Sequence, residues 1–98
     1  MTPTDLISKG EHAKRLLDDP VVTEALAVIE RDIMEAFFTC PARDDEGRRQ
    51  IQTNLRLARQ FKGILLGAIE RGRLAAHELR EKEESIAKRA ANGLRRIF

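Results

Sequence analysis

From Ile51 onward, apolar and small residues recur in alternating steps of four and three. Ile51, Leu55, Ala58, Leu65, Ile69, Gly72, Ala76, Leu79, Ile86, Ala90, Gly93 and Ile97 hold the register, with Lys62 and Glu83 occupying two of its positions. That alternation is the a/d pattern of a helix with one persistent apolar seam, and a strand would need a period of two. A chain carrying such a seam over its last half must be organised around a long helix. Running from residue 46 to 98 without a break, that helix would be about 80 Å long. The seam is rich as far as Ile69, where Leu57, Phe61, Ile64, Leu66 and Ala68 widen it, and thin beyond Gly72. Gly72 is therefore the expected place for a bend or break, leaving 73–98 as a weakly packed helical extension of 45–71, or a helix of its own.

Two proline breaks divide what precedes it. In TCPARDDEGRRQ (39–50), Pro41 offers no N–H and disfavours helical geometry at Cys40, so a preceding helix has to stop near Thr39. Asp44 or Asp45 then caps the long helix, with Glu46 in its first turn. Upstream, Asp19-Pro20 sets an N-cap before a proline at the first helical position. Between these breaks Val22, Leu26, Ile29, Ile33 and Phe37 form a core-facing stripe, which Val21, Ala25, Ala36 and Phe38 widen. The short link between 20–39 and 45–71 predicts an antiparallel helical hairpin, with Leu55, Ala58, Leu65 and Ile69 meeting that stripe. A first helix over 4–17, capped by Thr4, precedes it, and Gly10 should weaken it by about 1 kcal/mol relative to Ala. The expected fold is all-α in one domain, 1–98: a short N-terminal helix, a hairpin and a long or bent C-terminal extension.

Composition bears on function mainly through charge. Of 98 residues, 35% are charged, and the net +2 is unevenly spread: residues 1–40 carry four Lys/Arg against eight Asp/Glu, residues 71–98 eight against four. An acidic front and a basic rear suit association with a second chain as well as with nucleic acid. The single Cys40 excludes an internal disulfide, and reads as a small half-buried residue rather than a nucleophile. Neither His12 nor His77 belongs to a metal-ligand pattern, and Asp18-Asp19 and Asp44-Asp45 are explained by capping. No nucleotide-binding or serine-nucleophile motif is present. The expectation is a protein that is not an enzyme, with no catalytic, cofactor or metal residues. No apolar run is long enough for a membrane span and no leader is evident, so a cytosolic setting is expected.

What remains is contact surface. A single partner helix cannot bury every apolar residue of the third helix, which predicts a homo-oligomer or a stable complex with another protein. Leu57, Ile64, Leu66, Leu79, Ile86, Ile97 and Phe98 are the expected interface residues. Basic residues cluster around the turn (Arg43, Arg48, Arg49), on the third helix (Arg56, Arg59, Lys62) and near the terminus (Lys88, Arg89, Arg95, Arg96). They suit phosphate backbone or an acidic protein partner. Arg95-Arg96-Ile97-Phe98 could dock into an acidic groove or serve only as a solubilising end.

Three stretches, KRLLDDPVVTEAL (14–26), TCPARDDEGRRQ (39–50) and GRLAAHEL (72–79), together resemble small helical proteins of tailed-phage and prophage structural or DNA-packaging gene clusters. The resemblance implies an oligomeric phage protein acting in particle assembly or packaging, comparable to small-terminase rings beside DNA. Its partners would be itself and another phage protein, in the host cytoplasm or the virion. The alternatives are a small nucleic-acid-binding accessory protein and a host-directed inhibitor.

Overall fold

The computed structural model describes the backbone of residues 1–97 and the side chains of residues 1–95. It is all-α, with three helices: α1 (Pro3–Asp18), α2 (Pro20–Thr39) and α3 (Asp45–Ile97). Each start has a local chemical cause. Thr2, not Thr4, caps α1. Its hydroxyl accepts from the Asp5 N–H at 3.2 Å while the Thr2 N–H donates to the Asp5 carboxylate at 3.3 Å, a reciprocal capping box. Asp19 caps α2 by accepting from the Val21 N–H at 2.8 Å, with Pro20 entering the first turn. Asp44 caps α3 through the Gly47 N–H at 2.9 Å. A Cβ at Gly47 would run into that carboxylate, so a larger residue there would require the capping side chain to shift.

Asp19 is the only non-helical residue between α1 and α2. Thr23 fastens the joint, donating its hydroxyl to the carbonyls of Leu17 and Asp19, each at 3.0 Å. The turn from Cys40 to Asp44 is closed by the Asp44 N–H on the Pro41 carbonyl at 3.0 Å. Cys40 is half-buried and free there.

α3 runs unbroken through Gly72, so no break divides the hairpin arm from the C-terminal extension, and the two form one helix as far as Ile97. The molecule measures 82 × 26 × 19 Å, so its long axis matches the rod of α3. α1 and α2 lie one after the other along this rod, both antiparallel to it. Leu6 and Gly10 meet Gly72 and Ala68. Farther along, Val21 and Val22 lie beside Ala58 and Phe61, and Phe37 beside Ile51 and Leu55.

The core is small and lies where α1 crosses α3. Gly10, Ala13, Ala68, Gly72 and Ala75 are buried, whereas no residue of α2 is. The glycines are the reason. A Cβ on Gly10 would sit 2.8 Å from the Ala68 carbonyl oxygen and 3.1 Å from Gly72 Cα, and one on Gly72 would sit 2.8 Å from the Leu6 oxygen. Backbone therefore crosses backbone at van der Waals distance. Gly10, expected to weaken α1, is what lets α1 dock. The seam positions Ile51, Leu55, Ala58, Leu65, Ile69, Ala76 and Leu79 are half-buried, while every residue from Arg80 to Arg95 is exposed. From Arg80 to Arg95, α3 is a bare helix and Glu83 faces water.

Candidate assembly surface

α2 presents an unusual circumference. By helical spacing, Val22, Leu26 and Ile33 face α3 and are half-buried, but apolar residues continue around both sides. Val21, Ala25, Val28 and Ile29 lie on one flank, Met34 and Phe38 on the other. Only Glu24, Arg31 and Glu35 form a continuous polar strip, with Glu30 and Asp32 isolated among apolar neighbours. Val21 is 73% exposed and Phe38 77%. Phe37, expected in the core, is 55% exposed; its ring rests edge-on against Phe38 with centroids 5.9 Å apart. The seam between α2 and α3 is narrow, and Phe37 sits at its lip.

Two grooves flank that seam. On one side Val21, Ala25, Ile29, Ala58 and Phe61 line an apolar trough, which continues past Leu57 to a polar rim of Asp32 and Asn54. On the other side Met34, Phe37, Ile51 and Leu55 share the wall with Arg59 and an ion pair, Lys62 to Glu30 at 3.5 Å. That pair accounts for a lysine on the apolar seam: Lys62 is exposed and answers a carboxylate across the hairpin.

The predicted interface residues divide accordingly. Leu57 and Ile64 are exposed, and two helical turns place them on one side of α3; Phe61 joins them there. Leu66 is exposed but lies toward the opposite flank. Leu79 is half-buried at the end of the seam, and Ile86 is exposed on the bare segment. The side chains of Arg96, Ile97 and Phe98 lie outside the described residues, so the contacts expected of the C-terminal end have no counterpart here. In the sequence pattern Phe61 and Val21 only widen a stripe. The signal for them was present in the apolar residues that continue around α2 and along α3 beyond what one neighbour can cover.

The basic residues do not converge on one site. Arg48 is half-buried and paired with Asp45, and Lys62 with Glu30. Arg49, Arg56 and Arg59 are exposed along one flank of α3, with Gln52, Leu55, Arg56 and Arg59 lining a shallow depression. Arg43 is exposed in the turn, and Lys88, Arg89 and Arg95 are exposed on the bare helix. Among the described residues, no three His, Cys, Asp or Glu side chains come together as metal ligands, and no helix is long and apolar enough to cross a membrane. No protein-family model, curated protein or solved structure matches the chain.

Proposed function

We propose that this chain is a non-enzymatic assembly protein whose working form is an oligomer, serving phage particle assembly or DNA packaging. The observation that carries the oligomer is α2, a helix apolar around most of its circumference with no buried residue. Helices of that kind occur inside larger structures, and this chain has too little of itself to enclose one. The phage context rests on the three-stretch sequence resemblance. Sedimentation equilibrium of the full chain at tens of micromolar tests the reading. A mass at least twice that of the chain, little changed by high salt, is expected of an apolar interface. A well-folded monomer would overturn the homo-oligomeric reading.

A second reading, nucleic-acid binding, is favoured by the exposed flank of Arg49, Arg56 and Arg59. It predicts retention of a random-sequence duplex that weakens steeply with salt, and loss of that retention in an Arg56→Glu, Arg59→Glu variant. Retention that ignores both changes would exclude this flank as the contact.

A further inference from the structure

We propose that the apolar trough between α2 and α3 is occupied by the same trough of a second copy, giving a four-helix bundle with its two-fold axis along the helices. This rests on the oligomeric reading above and adds the surface, the partner and the symmetry.

The area argues for an occupant of this size. The chain exposes 8350 Å², whereas a compact monomer of its mass exposes about 5,700 Å², an excess of about 2,700 Å². Part of the excess belongs to the bare end of α3. The whole excess is about three times the roughly 800 Å² that each partner of a standard interface contributes.

The shape suits self-pairing. The trough is lined by small residues, Ala25 and Ala58, and carries Phe61 and Leu57 as ridges on its α3 side. In an isologous contact each copy offers the other the same ridge and the same hollow. Phe61, at 52% exposure, has the size and position to enter the partner's hollow.

Charge selects the axis. α2 holds four carboxylates and one arginine (net −3), and residues 45–62 hold five Lys/Arg and two carboxylates (net +3). A two-fold axis along the helices sets α2 of each copy over α3 of the other, acidic against basic and antiparallel. An axis across the helices would stack α2 on α2, like charge on like charge. By helical spacing, Glu24 and Glu35 lie on the outer edge of α2, and Arg49 and Arg56 on that of α3, so the favoured arrangement also matches the rims. In it, the two bare segments leave the bundle at the same end.

The test compares sedimentation of wild type, Phe61→Glu and Phe38→Glu, with circular dichroism as the check on folding. Phe61 and Phe38 are both exposed in the single chain, so neither change empties a core. Phe61→Glu is expected to weaken the dimer at least 30-fold with helicity retained, and Phe38→Glu, on the far side of α2, to leave its mass unchanged. Should Phe61→Glu fail to fold, spin labels at Ala91→Cys in a Cys40→Ser chain give an independent reading. Segments leaving one end yield a dipolar coupling between copies. A wild-type monomer overturns both the oligomeric reading and this interface, assigning the trough to a different protein. A wild-type oligomer that survives Phe61→Glu, or a dimer without dipolar coupling, overturns the trough pairing and leaves the oligomeric reading standing.

Discussion

α1 and α2 are similar in length, antiparallel to the same helix and joined by one residue, yet they pack in opposite ways. α1 is mostly polar in sequence, and its contact with α3 is built from Gly10, Ala13, Ala68, Gly72 and Ala75. α2 has the large side chains, two phenylalanines among them, and none is buried. Small residues let two backbones approach until nearly everything between them is excluded from water. Large residues on a single pair of helices hold the axes apart and spill to either side. Apolar content therefore records how much surface needs covering, and side-chain size at the crossing decides whether one neighbour can cover it.

The sharpest way to break that contrast is to give the tight crossing a side chain. Gly72→Leu places a branched group where a single Cβ already meets the Leu6 carbonyl at 2.8 Å. A loss of about 2–3 kcal/mol in denaturant melts is expected, with amides of α1 losing hydrogen-exchange protection before those of α3. Unchanged protection in α1 would mean that the crossing yields easily. Next in size is the joint between the two helices. Asp19→Ala removes the acceptor for the Val21 N–H and should cost about 1 kcal/mol. A double variant with Gly72→Leu tells whether docking and capping are coupled, since independent sites add.

Phe37→Ala probes the loose side. A buried phenylalanine would cost about 3–5 kcal/mol, whereas Phe37, half in water, should cost about 1 kcal/mol when the chain is dilute enough to be monomeric. A loss near the upper figure under those conditions would show that the hairpin closes on Phe37. The smallest effect belongs to the bare end. Removing residues 84–98 should change the melt of the remainder by less than about 0.5 kcal/mol, because residues 84–95 are exposed and add no buried surface to the rest.

The features written in local chemistry were legible in advance. Pro20 and Pro41, with Asp19 and Asp44 beside them, set two helix boundaries within a residue or so, and the seam from Ile51 to Leu79 marks the half-buried side of α3 correctly. The glycines were not legible. Gly10 read as a weak point and Gly72 as a bend, because a missing side chain looks like lost helix propensity until the two positions are known to meet. Phe37 was misplaced for a related reason: periodicity shows which side of α2 is apolar, but not how far the opposite axis stands away. Leu57 and Ile64 stand out in the pattern as residues one neighbour leaves uncovered, and both are exposed. Phe61, between them on the same side, was absorbed into the seam because its spacing fits both.

The single residue between α1 and α2 has a mechanical consequence. Placed end to end, the two helices act as a two-piece splint along α3, backing its first two-thirds and stopping at Leu79. A doubled rod resists bending more than a single one, so stiffness drops at that point, and the roughly 24 Å from Arg80 to Arg95 behaves as a cantilever fixed at one end. Bending applied to its tip is greatest at the root, beside Leu79, where α1 begins. A load applied at Arg95 is thereby delivered to the first turn of α1 and its Thr2–Asp5 cap.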